Sequence, residues 1–464
     1  VTEYGPLPFK SQVNVPAGLA DAPGAWIASI VFGCLLLLLA WRLRDRTALA
    51  EWLGALGGAA LLTCPLVGLL PHAVYGDYPT IDKQGSILFY LDGVHVRAAS
   101  HPLAPDAAAR LIGVHLGHLW VAQAFDSVLE PFAAFNAEGL LWLVAGWACA
   151  SAFMRVAGAA PFPAFVLGLC YGLGLHAFRD LNWYTVEKTA TFGIPLYGAV
   201  AIRALRGDHR QWFVLAAVTF LIGYLNLYFG MLVAMWGAWG AVTYVALTRD
   251  LRAATHLLVA TLVGLAPLAV GQALLMRGGT FASPECFLRA RASLDVVTLW
   301  PPAWNRLELW RACHPVAVCI GGWAVLARRR TPDMQLVSVF PTRAWLIVAA
   351  PFAALALGPT PLGASNPIYW SCWYAIPFFW RVAKPEMFFF VPWLVWMTIG
   401  AIRWTERGGA RLEQAVVAAS VVVVWFATVR LHPVYPGFSE WQPVKLPPGA
   451  AERRLSQNAN CPED

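Results

Sequence analysis

HAVYGDYPTIDKQGSILFYLDGVHVRAASHPLAPD, residues 72–106, is the polar stretch around which the rest of the chain is arranged. It follows an apolar run ending near Leu70 and collects Asp77, Asp82, Asp92 and Asp106 where the flanking sequence has almost no acid. A loop that leaves a bilayer and opens on a pair such as Gly76-Asp77 holds a carboxylate within reach of a group that stays at the membrane surface. That arrangement suits chemistry on a lipid head group. The plainer reading is that each aspartate is a solvated loop residue.

Composition sets the surroundings of this loop. The 464 residues are 59% hydrophobic and 13% charged, with 23 Trp and 25 Phe, and the mean hydropathy is +0.58. Soluble domains carry about 25% charged residues, so the chain reads as an integral membrane protein. Its net charge of +7 does not point to nucleic acid, because the basic residues fall in short clusters beside apolar segments.

A membrane helix needs about 20 mainly apolar residues. Twelve segments qualify once boundaries are allowed to move by a few residues: 26–41, 53–70, 135–153, 162–175, 189–202, 212–224, 227–247, 256–275, 316–326, 344–357, 388–402 and 414–429. The expected fold is therefore an all-α polytopic membrane protein with outward-facing loops and interfacial helices. It comprises a segment 1–24, one transmembrane domain 25–430 with outer loops at 71–134, 276–313 and 358–387, and a tail 431–464. The Pro- and Gly-rich first 24 residues lack the charged start of a secretory signal, so 26–41 reads as a retained helix.

Arginine clusters give the orientation. Arg42, Arg44 and Arg46, Arg155, Arg203, Arg206 and Arg210, Arg249 and Arg252, Arg328 to Arg330 with Arg343, and Arg403, Arg407 and Arg411 all fall in short loops of one side. By the positive-inside rule that side is cytoplasmic, which places both termini and the Asp77 loop outside. Arg277, Arg289, Arg291, Arg306 and Arg311 run against the trend, and local structure or anionic lipid phosphate would account for them.

Several outer segments carry polar chemistry. Residues 107–125 have helical spacing with mixed polarity and read as a helix lying in the interface. Its His115 and His118 are three residues apart, but no H-E-x-x-H pattern accompanies them. No metal residue is assigned and no cofactor is certain, with a divalent ion left open. Downstream, HAFRDLNWYTVEKT brings His176, Arg179, Asn182 and Glu187 together with Asp180 and Lys188. Ionisable groups at that depth face a cavity or neutralise one another; both readings stand. Asn226, between Gly223 and Gly230, marks a tight outward turn between two helices.

In the last outer loop, Arg381 and Lys384 precede Pro385 and the aromatic run at Phe388. Such a pair can neutralise a phosphate, Arg by a two-pronged hydrogen bond and Lys as a point charge. The competing reading is that Lys384 and Glu386 lie at the membrane boundary with their heads in water. Of nine cysteines, Cys286, Cys313, Cys372 and Cys461 fall on the outer side, and no C-x-x-C occurs.

The order of these blocks, Gly76-Asp77, PFAAFNAEGLLWLVAGWACASAFMRVAG, GLCYGLGLHAFRDLNWYTVEK, IGYLNLYFG and IPFFWRVAKPEMFFF, resembles the GT-C superfamily of polytopic membrane glycosyltransferases, in particular its bacterial members. The resemblance covers most of 53–402. It implies a sugar transferred from a polyprenyl-phosphate donor to an acceptor on the outer face of a bacterial inner membrane. By position Asp77 would be the base, with Asp82 and Asp92 next in line; Arg381 and Lys384 would meet the donor phosphate, and His176, Arg179, Asn182 and Glu187 would line the substrate site. The chain departs from the family in its additional first helix and in lacking an Asp-x-Asp or Glu-x-Asp pair. Those departures favour the alternative, a non-catalytic scaffold subunit of a membrane complex. The expected partners are the donor lipid, an unidentified acceptor, the bilayer and other membrane subunits, with no nucleic acid. A transporter should show internal repeats, and no convincing repeat occurs.

Overall fold

The computed structural model describes residues 7–8, 12–13, 23–43, 47–64, 73–75, 116–129, 131–174, 177, 189–277, 341–359, 365–376, 379, 385–426, 429, 438–440 and 443–444. Apart from five strands of two or three residues, its described elements are helices. Five of these are long and apolar enough to cross a membrane: Pro23–Arg42, Asn136–Ala157, Leu227–Thr248, Leu251–Val270 and Met387–Arg407. The protein is thus helical, with several helices suited to a bilayer. Every predicted span except 316–326, which lies outside the described residues, overlaps a helix. The segment predicted at 53–70 is displaced: its helix occupies Thr47–Leu62 and ends in a turn at Thr63 and Cys64.

The chain divides into two compact units. The first comprises Val1–Ala145, Leu175–Ala190 and Val429–Asp464. In it, α1 (Pro23–Arg42) packs along α2 (Thr47–Leu62). Gly33 and Gly57 lie at the contact, where a Cβ on Gly33 would stand 2.7 Å from Leu61 Cγ and 2.9 Å from the Gly57 oxygen. Lipid tails are as apolar as leucine, so close backbone approach and dispersion supply the attraction that water would otherwise drive. Ile27, Val31, Leu35 and Leu38 on α1 remain exposed. A helix apolar on all sides and buried over only 17% of its window belongs in hydrocarbon.

Two small sheets complete this unit. Strand β1 (Leu7–Pro8) pairs antiparallel with β5 (Pro443–Val444). In the other, β4 (Phe438–Glu440) lies between β2 (Gln12–Val13) and β3 (Ala73–Tyr75), antiparallel to both. Gln12–Val13, Ala73–Tyr75 and Phe438–Glu440 therefore share one ladder, which requires them to be on the same side of any membrane. Helix α3 (Leu116–Asp126) and the first part of α4 (Pro131–Ala157) belong to this unit as well.

The second unit comprises Gly146–Gly174 and Thr191–Thr428. Helices α6 (Gly193–Leu205), α7 (Arg210–Leu225), α8 (Leu227–Thr248) and α9 (Leu251–Arg277) pack against one another. Asn226 ends α7 in extended backbone and caps α8, its Oδ1 accepting from the Tyr228 N–H at 3.0 Å and the Phe229 N–H at 3.4 Å. Gly223 and Gly230 let the two chain segments meet: a Cβ on Gly230 would stand 2.6 Å from the Gly223 Cα. The predicted tight turn is present. Buried hydroxyls find partners, as membrane burial demands; Tyr197 on α6 and Thr261 on α9 share a 2.8 Å hydrogen bond.

Helix α12 (Phe390–Arg407) contacts α5 (Pro161–Gly172), α6, α10 (Thr342–Ala356) and the 3-10 turn Pro385–Phe389 that leads into it. Between α10 and that turn lies α11 (Pro367–Ala375), and α13 (Arg411–Trp425) packs on α5. The buried Trp425 indole donates to the Leu173 carbonyl at 2.7 Å, satisfying an oxygen freed at the end of α5.

Candidate functional site

The first unit buries a carboxylate. Helix α3 ends at Asp126, and Pro131 opens α4, a position where proline loses no helical hydrogen bond. The connection is pinned by the Leu129 N–H donating to the Phe125 carbonyl at 2.8 Å and by the Ser127 hydroxyl donating to the Ala124 carbonyl at 2.7 Å. His118 lies about two turns before the connection and Glu138 about two turns after it, so the reversal brings them face to face.

His118 Nδ1 is 2.7 Å from Glu138 Oε1. The same oxygen accepts from Trp142 Nε1 at 3.0 Å, one turn along α4. The His118 and Trp142 rings meet edge to face, with centroids 5.3 Å apart. Glu138 is 0% exposed and His118 2% exposed, and Asn136, two residues before Glu138, is also buried. Glu138 is the one fully buried acidic residue among the described residues. Its desolvation is offset by the indole N–H and by the imidazole, which donates through Nδ1 when that nitrogen carries the proton. The Nδ1–H tautomer is the one that satisfies the imidazole and the carboxylate together.

Sequence reasoning placed His118 in interfacial packing and passed over Glu138. The structure puts His118 in a buried polar pair with Glu138. A usable signal was present, since an acid inside an otherwise apolar span is a functional candidate by default. Asp77, Asp82, Asp92, His176, Arg179, Asn182, Glu187, Arg381 and Lys384 lie outside the described residues. Their described neighbours are β3, which ends two residues before Asp77; the buried Ala177, Thr189 and Ala190 around the Arg179 segment; and the 3-10 turn that begins immediately after Lys384. Among the described residues no group of three or more His, Cys, Asp or Glu side chains could hold a metal ion.

At the C-terminal end of α6, burial first and the neighbouring Arg203 charge second pull the Arg206 guanidinium below its ordinary value. It stays cationic there, since arginine is not deprotonated in proteins. Arg403 with Glu406 at 2.7 Å, and Arg407 with Glu413 at 2.9 Å, form ion pairs near the end of α12. No family model, curated protein or solved structure matches the chain.

Proposed function

We propose that the chain is a GT-C-like glycosyltransferase of a bacterial inner membrane, with about twelve spans and both termini outside. It transfers a sugar from a polyprenyl-phosphate donor to an acceptor hydroxyl at the outer face. Asp77 takes the hydroxyl proton as the acceptor oxygen bonds to the anomeric carbon. The bond from that carbon to the phosphate oxygen breaks in the same inverting step, and polyprenyl phosphate leaves with the electron pair. Arg381 and Lys384 neutralise the departing phosphate, while His176, Arg179, Asn182 and Glu187 line the sugar and acceptor site. General base action supplies roughly 10²- to 10⁴-fold, and positioning of the reactants about 7 to 11 kcal/mol.

The observation that carries this reading is that the elements flanking the acidic segment are each held by long-range pairing within one unit. Strand β3 holds the chain just before Asp77, and the His118–Glu138 pair holds the helix that follows the loop. A loop secured on both flanks is the kind of scaffold that general base catalysis requires.

The test uses membranes containing the full chain, supplied with polyprenyl-phosphate-linked radiolabelled sugars and a mixed envelope extract as acceptor. The parent should release polyprenyl phosphate, and Asp77→Asn should abolish release with unchanged protein level. Arg381→Ala should weaken donor binding more than Arg289→Ala, and Arg381→Lys should recover part of the loss, because an ammonium cannot fork onto two oxygens. Full activity in Asp77→Asn would remove the base assignment. A parent without activity that co-purifies with other membrane subunits would support the scaffold reading.

A further inference from the structure

The C-terminal segment occupies an unusual place in the first unit. Strand β4 is the central strand of its sheet, and Ser439 is the register partner of both Gln12 on β2 and Val74 on β3. The two outer strands have β4 as their only neighbour in that sheet. Without it, the ladder that holds Ala73–Tyr75 has no partner, and strands of two or three residues do not persist alone. Tyr75, the partner of Phe438, is the last residue of β3 and lies two positions before Asp77.

We propose that Phe438–Glu440 is a strap whose backbone pairing with Ala73–Tyr75 anchors the chain where it enters the acidic segment, two residues before Asp77. The strap pairs Ala73–Tyr75 with a segment more than 350 residues further along the chain. It also ties in the N-terminal segment through Gln12 and Val13. The second sheet, β1 with β5, joins the two terminal segments to each other at Leu7–Val444 and Pro8–Pro443. The inference holds whether or not the chain transfers sugar.

The test is made on the full chain in membranes. Neighbouring register pairs in an antiparallel ladder alternate between about 4.5 and 5.5 Å in Cα separation, both within disulfide range. Val74→Cys/Ser439→Cys and Tyr75→Cys/Phe438→Cys are oxidised mildly and their linked peptides identified by mass spectrometry, with the offset pair Ala73→Cys/Phe438→Cys as control. At least one aligned pair should cross-link, and the offset pair much less. Trypsin cleavage after Lys83 then reports on the loop. Ser439→Pro removes a ladder N–H and should speed cleavage by about tenfold, whereas the oxidised aligned pair should be cut more slowly than the same variant reduced.

Absence of a cross-link in both aligned pairs would overturn the sheet. Cross-linking with identical cleavage in the oxidised and reduced protein would overturn the strap, and this comparison decides the matter even where Ser439→Pro fails to fold. Because the readout is proteolysis, its failure is distinguishable from failure of the glycosyltransferase reading.

Discussion

His118 Nδ1 stands 2.7 Å from Glu138 Oε1, an imidazole and a carboxylate joined across a helical reversal and both shut away from solvent. Trp142 donates to the same oxygen, so the carboxylate is held on two sides. Buried pairs of this kind contribute little relative to apolar packing, yet removing one partner is costly because the other is left desolvated.

Glu138→Ala should therefore destabilise the protein by about 3 to 5 kcal/mol. Glu138→Gln, which keeps an acceptor for the Trp142 indole, should cost about 1 to 3 kcal/mol. Denaturant unfolding in detergent, followed by Trp fluorescence, checks the order Ala > Gln > parent in destabilisation. Equal midpoints for all three would show that the pair does not hold α3 to α4.

At the reversal between α7 and α8, Asn226 accepts from two backbone donors that the helix itself cannot satisfy. Asn226→Ala should cost about 0.5 to 2 kcal/mol, and Asn226→Ser, which can still cap, should recover much of it. Thermal melts of the three proteins in one detergent measure the difference.

Close packing of α1 on α2 predicts intolerance at Gly33. A valine there must push against Leu61 and the Gly57 carbonyl, at about 1 to 3 kcal/mol for an overpacked contact. Limited proteolysis of the Arg44 to Arg46 connection should quicken in Gly33→Val and remain near the parent rate in a lipid-facing variant such as Leu35→Val.

Strand pairing and arginine placement together predict sidedness. Membrane-impermeant maleimide applied outside should label Val74→Cys and the Cys461 tail alike, since β3 and β4 share a ladder. Asp208→Cys, in the exposed connection between Arg206 and Arg210, should stay protected until the membrane is opened. Labelling of Val74→Cys and Cys461 from opposite sides would refute the sheet, whereas labelling of both from inside would reverse the orientation.

Cys372 on α11 is a half-buried free thiol, and desolvation pushes its pKa up. A raised value means less thiolate at a given pH, so alkylation should be slow near neutrality. Its rate should still be climbing beyond about pH 10, where an ordinary cysteine with a pKa of about 8.5 has levelled. A plateau at or below that pH, followed by mass spectrometry of the Cys372 peptide, would contradict the burial.

Helical segments were legible because their signal is local. The run at 26–41 and the aromatic stretch at 388–402 are apolar along their whole length, and each coincides with a helix that a bilayer would accept. Asn226 between two glycines was equally plain, because capping needs only a side chain and the next three residues. The Glu138 pairing was not. Its partner lies 20 residues away across a reversal whose angle no propensity describes.

Composition and periodicity alone determined that this is a helical protein made for a membrane, since 59% hydrophobic residues in long runs admit few other solutions. Only the tertiary structure decided that Ala73–Tyr75 pairs with Phe438–Glu440 and that His118 meets Glu138. Strands of two or three residues and single buried contacts carry too little local energy to be written in the sequence around them; they exist because the packed chain brings distant backbone and side chains together at a place where unpaired polar groups would be costly.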